Sequence, residues 1–328
     1  MREDTYVRGN MSTLQEFSDA LADAVASTGQ QVVRVEARRR LPASGIVWSS
    51  DLVVTAHHVV ERNENIRIGL HDNSMVEAEL VGRDPNTDLA VLRVKTGSTG
   101  FKKAEGISRI GHLVMAVGRA GMGLQASLGI ISAIGSSEPG SDQEKERPHH
   151  RRGGGGMSFA YSRGHSGVML DGAIQSDVVM YPGFSGGPLI DASGRLLGMN
   201  TSAVASGASL SIPLGTITRV VEQLSTHGKV RRGFLGVSLQ PMRLTESLAT
   251  GVGQSTGLLI VATDSGGPAD NAGLYQGDII VAIDGQRTRT LDELLALLNG
   301  DRVGTTVAVR IIRGGQTQEL NATIAERH

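Results

Sequence analysis

The chain has no cysteine, and aromatic residues make up only 3% of its 328 positions: five Phe, four Tyr and one Trp. Without cysteine there are no disulfide staples and no thiolate metal ligands, so the composition is compatible with either redox compartment. With so few rings, hydrophobic cores must rest on Val, Ile, Leu and Ala. Neither sign of charge is in excess: 32 Lys and Arg against 33 Asp and Glu leave a net charge of −1. That balance argues against a nucleic-acid binder, whose footprint is a basic surplus. The N-terminal segment is too polar and broken for a membrane span or a signal peptide. What the chain has in quantity is glycine, 44 residues, as a turn-rich β protein would. Its length exceeds one ordinary domain and allows two cores.

The most informative stretch is Gly183-Phe184-Ser185-Gly186-Gly187-Pro188, at the end of the apolar run Val178-Val179-Met180. Glycines let the backbone take positive φ and approach a substrate. A serine among them has an exposed hydroxyl and neighbouring N–H groups, the parts of an acyl-transfer site. Alone, such a match is more often a glycine-rich hairpin whose serine caps a turn.

A nucleophilic serine needs a base, and the base an orienting acid. Of nine histidines, His58 is best placed, just after the strand-like run Leu52-Val53-Val54-Thr55 and before Val59-Val60. Thirty residues on, Asp88 opens the apolar run Leu89-Ala90-Val91-Leu92. The order His58, Asp88, Ser185 separates two enzyme folds. In an α/β-hydrolase the serine comes first and a helix follows it. Here Pro188-Leu189-Ile190, the turn Asp191-Ala192-Ser193-Gly194 and Leu196-Leu197-Gly198-Met199 read as a hairpin. The expected fold is mainly β, a chymotrypsin-type double β-barrel.

Three motifs in this order resemble the HtrA/DegP family, trypsin-like serine endopeptidases with C-terminal PDZ domains. They are Val53-Val54-Thr55-Ala56-His57-His58-Val59-Val60, Asp84-Pro85-Asn86-Thr87-Asp88-Leu89-Ala90-Val91-Leu92 and Ile174-Gln175-Ser176-Asp177 with Pro182-Gly183-Phe184-Ser185-Gly186-Gly187-Pro188-Leu189. The likeness runs from about Val32 to near the C-terminus. It implies Ser185 as nucleophile, His58 as general base and Asp88 as the group holding the imidazole. The N–H groups of Gly183 and Ser185 would form the oxyanion hole, with Phe184 shaping the turn between them. Ala56 and Phe184 stand where the family usually has Asn, and His57 precedes the expected base as a decoy. In trypsin-like folds the residue six before the nucleophile floors the primary pocket. Here it is Val179, which cannot neutralise an incoming cation. A small or medium aliphatic residue is therefore expected before the scissile bond.

Residues 214 to 226 place Ile217, Val220, Val221 and Leu224 at helical spacing, and Gly228 follows as a stop. Beyond a basic linker, Phe234-Leu235-Gly236-Val237 resembles the carboxylate-binding loop of a PDZ domain, a small α+β fold. Gly267-Pro268-Ala269, Ala272-Gly273-Leu274, Gly277-Asp278-Ile279-Ile280 and Ile283-Asp284-Gly285 look like its next landmarks. A helix starts at Thr290, with Glu293 completing a capping box. Its leucines Leu291, Leu294, Leu295 and Leu298 must divide between core and groove. The expected division is 1–30 as an N-terminal helical segment, 31–228 as the protease domain and 229–328 as one PDZ domain. In the N-terminal helix, Leu14, Phe17, Leu21, Ala22 and Val25 share a face, with Ser12 or Thr13 as its cap.

The stretch 136–167 is polar, basic and glycine-rich, so a mobile loop is expected there. Its His149 and His150 lack the carboxylate or thiol partners of a metal site. Gly118-Arg119-Ala120-Gly121-Met122-Gly123 does not match dinucleotide-loop spacing and reads as a barrel turn. The expected activity is ATP-independent cleavage of unfolded or damaged polypeptide, with no metal or organic cofactor. It would be regulated by C-terminal peptides at the PDZ groove, in protein quality control. The resemblance also implies a homotrimer and work in the cell envelope, although the chain as written carries no export signal and reads as cytoplasmic. The rival reading is a catalytically idle peptide-binding chaperone or scaffold.

Overall fold

The computed structural model describes residues 4–39, 41–106, 108–135, 172–203, 209–298 and 300–327. The stretch 136–167, with its expected loop and His149 and His150, lies outside them. The chain divides into two units between Lys229 and Val230.

The first unit opens with helix α1 (Asp4–Ser27), which begins before Ser12 and Thr13 rather than being capped by them. Ala24 is buried against Val32, Met115, Val117 and Ile190, with Leu21 and Val25 beside it, whereas Ala22, Leu14 and Phe17 are exposed. Six strands follow: β1 (Val32–Glu36), β2 (Ala43–Val47), β3 (Leu52–Ala56), β4 (Ile66–Gly69), β5 (Met75–Asp84) and β6 (Leu89–Arg93). They close in the order β1-β2-β3-β6-β5-β4. β2, β3 and β6 are almost continuously apolar because both of their faces are covered.

A second barrel takes β7 (Leu113–Gly118), β8 (Gln125–Ile134), β9 (Ile174–Ser176), β10 (Pro188–Asp191), β11 (Leu196–Thr201) and β12 (Ser209–Pro213), in the order β10-β11-β12-β9-β8-β7. Gly118 to Gly123 form the β7–β8 turn, not a dinucleotide loop. Closure in both barrels leaves no unpaired edge. Helix α2 (Leu214–His227) buries Ile217, Val220, Val221 and Leu224. It ends where Gly228 adopts φ 70° and donates its N–H to the Leu224 carbonyl, as expected of a C-terminal glycine.

The second unit contains β13 (Gly233–Phe234), β14 (Val237–Arg243), α3 (Glu246–Val252), β15 (Thr256–Thr263), α4 (Pro268–Asn271), β16 (Ile279–Ile283), β17 (Gln286–Arg287), α5 (Leu291–Leu297), β18 (Thr306–Arg313), β19 (Gln316–Thr323) and β20 (Ala325–Glu326). Its main sheet runs β14-β15-β16-β18-β19, so β14 is an edge strand. Leu294 and Leu298 enter the core with Leu235, Leu258, Ile280 and Ile311. Leu291 is half-buried against the same core, and Leu295 is exposed.

Candidate active site

The register of β3 and β6 brings the first two site residues together. Ala56 pairs with Leu89, so the residues just beyond them, His57–Val59 in a short 3₁₀ turn and Asp88 before β6, become neighbours. Asp88 holds φ 55°, the left-handed region where Asp is among the better tolerated side chains. Its carbonyl accepts the His57 N–H at 2.9 Å and its Oδ1 accepts the His58 N–H at 2.9 Å. The His58 ring meets the same carboxylate, Nδ1 lying 2.8 Å from Oδ2 and 3.0 Å from Oδ1. A carboxylate only accepts, so Nδ1 carries the hydrogen and Nε2 is left as the acceptor. Thr201 donates its hydroxyl to Asp88 Oδ2 at 2.5 Å. Sequence reasoning missed Thr201; its signal was a small hydroxyl residue at the end of β11, the strand that pairs with β10 just after Ser185.

His57 does not join this site. Burial pushes its imidazole below the ordinary value, opposed by Asp88 and reinforced by Arg83 and His58. It is therefore mainly neutral at neutral pH and places no second cation beside His58.

Ser185 comes from the turn before β10. The turn Tyr181–Phe184 closes with the Phe184 N–H on the Tyr181 carbonyl at 3.0 Å, and Gly183 takes φ 92°. A Cβ at Gly183 would lie 2.2 Å from the Ala120 Cβ, so both the conformation and the space require glycine. Ser44 ties this turn to the first barrel. Its hydroxyl donates to the Gly183 carbonyl at 2.7 Å, and its N–H donates to the Ser185 carbonyl at 3.1 Å. Phe184 is fully buried among Val114, Ala116, Ile131, Ile174, Val178 and Leu189, edge-on to Tyr181. Among the described residues, the N–H groups of Gly183 and Ser185 donate to no protein acceptor.

A cleft of about 280 Å³ is lined by His58, Ser185, Ser202, Gly183 and Pro182, with Met180 and Tyr181, Arg38 and Leu41. Ser185 does not bond His58 directly. Its Oγ lies 2.9 Å from Ser202 Oγ, which lies 3.5 Å from His58 Nε2. Val179 is not in this lining: it is 55% exposed. The segment is pinned to β8 by the Ile130 N–H on Asp177 Oδ1 (2.6 Å) and the Val179 N–H on Ser127 Oγ (2.8 Å). Val178 is buried, Val179 is exposed and Met180 lines the cleft.

In the second unit, Leu235 is buried and Gly236 takes φ 76°. The Leu235 and Gly236 carbonyls accept the N–H groups of Ala269 and Asp264. Their own N–H groups donate to no protein acceptor among the described residues, and Val237 opens the edge strand β14.

Residues 43–199 match the trypsin-like peptidase domain and residues 233–324 the PDZ domain. A protein of Chlamydia trachomatis named "Probable periplasmic serine endoprotease DegP-like" is 33% identical over 303 residues, covering 89% of this chain and 56% of its own length. The chain belongs to the HtrA/DegP-like family. "Protease Do-like 1, chloroplastic" of Arabidopsis thaliana is 30% identical over 303 residues, covering 86% of this chain and 63% of its own. The chain thus spans little more than half the length of these curated relatives. Among solved structures, the HtrA-type protease AlgW with tripeptide is 28% identical at a TM-score of 0.74, covering 94% of this chain and 97% of that one. The serine endoprotease from Yersinia pestis is 26% identical at a TM-score of 0.72, covering 94% and 98%. No helix among the described residues is long and apolar enough to cross a membrane.

Proposed function

We propose that this chain is a serine endopeptidase acting on unfolded or damaged polypeptide. Ser185 Oγ attacks the scissile carbonyl as His58 Nε2 takes its proton. Asp88 holds the Nδ1–H and stabilises the imidazolium that forms. The Gly183 and Ser185 N–H groups receive the developing oxyanion. His58 then returns the proton to the leaving amine, and water hydrolyses the acyl-enzyme by the same route in reverse. The observation that carries this reading is that His58, bonded to the buried Asp88 at 2.8 and 3.0 Å, shares a cleft with Ser185, where the Gly183 and Ser185 N–H groups donate to no protein acceptor among the described residues.

Met180 gives the cleft an apolar wall, and no Asp or Glu among the described residues lines it. That supports cleavage after aliphatic rather than basic residues, since a buried unpaired cation is costly. The free N–H groups of Leu235 and Gly236 beside the open edge of β14 suit a peptide C-terminus that extends the sheet. Such binding would regulate cleavage. Work in a cell envelope fits the periplasmic names of the Chlamydia and Brucella relatives, and a homotrimer rests on family resemblance.

Hydrolysis of unfolded β-casein, with and without hydrophobic C-terminal peptides, tests the reading. The expected result is cleavage after aliphatic residues that Ser185→Ala abolishes and peptide accelerates. Saturable peptide binding without cleavage under any condition would instead favour the idle chaperone or scaffold.

A further inference from the structure

Ser202 stands between the two groups whose contact the proposed reaction requires. Its Oγ is 2.9 Å from Ser185 Oγ and 3.5 Å from His58 Nε2. Nδ1 of His58 carries the hydrogen toward Asp88, so Nε2 offers a single lone pair. The Ser202 hydroxyl lies within reach of that lone pair, where the proposed reaction needs the Ser185 hydroxyl, and only one can donate to it at a time. While Ser202 donates to Nε2, Ser185 donates into Ser202 Oγ, and its proton is aimed away from the base. For attack, Ser185 must break the 2.9 Å bond and turn its O–H to Nε2.

We propose that Ser202 is a positioning residue that holds the nucleophile's hydroxyl off His58, so that entering polypeptide must displace it before Ser185 is activated. The inference rests on the reading of Ser185 and His58 as nucleophile and base. Ser202 is exposed and lines the cleft, so an occupant meets it directly. Its neighbour Thr201 is buried and bonded to Asp88 at 2.5 Å, which anchors the backbone at this point. Release therefore needs only a rotation of the Ser202 side chain into another staggered well. A proton relay through Ser202 uses the same atoms but demands the opposite sign of effect. Without its hydroxyl the enzyme would slow.

Diisopropyl fluorophosphate tests this, because it reads the nucleophile without filling the cleft with polypeptide. Ser185 Oγ bonds to phosphorus, the P–F bond breaks, fluoride leaves, and His58 takes the serine proton. The second-order inactivation rate is measured for the wild type and for S202A, S202T and S185A, with thermal midpoints as a check on folding. One competing hydrogen bond is worth about two- to tenfold. S202A is expected to inactivate faster by that factor, while S202T, which keeps the hydroxyl, stays near the wild-type rate. Loss of a merely structural contact would leave the S202A rate unchanged or lower it, and would not give acceleration in S202A with the wild-type rate kept by S202T. An S202A rate equal to or below wild type overturns the proposal, the slower result favouring the relay. A wild type as inert as S185A, while trypsin is inactivated in parallel, removes instead the reading of Ser185 as nucleophile.

Discussion

Three donors converge on the Asp88 carboxylate: the His58 N–H, the His58 ring and the Thr201 hydroxyl. The ring bond matters most, because an acceptor at Nδ1 fixes the tautomer that leaves Nε2 basic. Asp88→Asn can keep the shape but offers an NH₂ group to that bond. The expected outcome is a loss of about 10⁴-fold in kcat on casein with the thermal midpoint little changed. Equal activity would mean that Asp88 does not orient the base. Phe184 belongs to the same scale but works through packing. Its fully buried ring anchors the turn between Gly183 and Ser185 in the core, so truncation both opens a cavity and frees the turn. Phe184→Ala should cost about 3–5 kcal/mol in urea unfolding. Activity should fall as well, and a variant stable to within 1 kcal/mol, by the same order-of-magnitude reasoning, would contradict this account.

At the scale of elements, local chemistry sets the ends and long-range packing sets the faces. Thr290 accepts the Glu293 N–H at 3.2 Å while Glu293 reaches back to the Thr290 N–H, so both halves of the capping box are present. Thr290→Ala should destabilise the second unit by about 1 kcal/mol, measured by denaturant melts. Weaker binding of C-terminal peptides should accompany it, since α5 packs beside β14. Helix α2 shows the same logic at its other end, with Gly228 closing it in the left-handed conformation. The faces are less local. In α1 Ala24 is buried and Ala22 is exposed, because Ala24 packs with Val32, Met115, Val117 and Ile190.

For the whole molecule, the two units have separate cores, one built around Leu258, Ile280 and Ile311 and another around Phe184, Val114 and Leu189. Substitutions in cores that share no residue should add. The double variant Phe184→Ala with Thr290→Ala is expected to show the sum of the two single effects to within about 0.5 kcal/mol. A larger discrepancy in the same unfolding experiment would reveal coupling between the units. The peptidase unit draws its candidate site from both barrels, with His58 and Asp88 from the first and Ser185, Thr201 and Ser202 from the second. Ser44 strengthens that arrangement by tying β2 to the turn of Gly183 and Ser185.

The amino-acid sequence by itself determined the features that depend on near neighbours along the chain. The double barrel and PDZ unit, the candidate triad residues at strand ends, the stop at Gly228 and the capping box at Thr290 were all legible there. The last two rest on backbone preference within a few residues, whereas the double barrel, the PDZ unit and the candidate triad rest on the order of motifs and their resemblance to a known family. Tertiary structure alone decided which side chains share the cleft. Val179 and Met180 are adjacent in sequence, yet with Asp177 and Val179 held by bonds to Ile130 and Ser127, Val179 is exposed and Met180 lines the cleft with Ser185. Leu294 and Leu295 part in the same way, because only one of them faces the sheet beneath α5. Thr201 and Ser202 reach the candidate triad through the pairing of β10 with β11, continued by Gly186 and Gly187 on Asn200. No local pattern encodes that register, because barrel closure fixes it between strands distant in sequence.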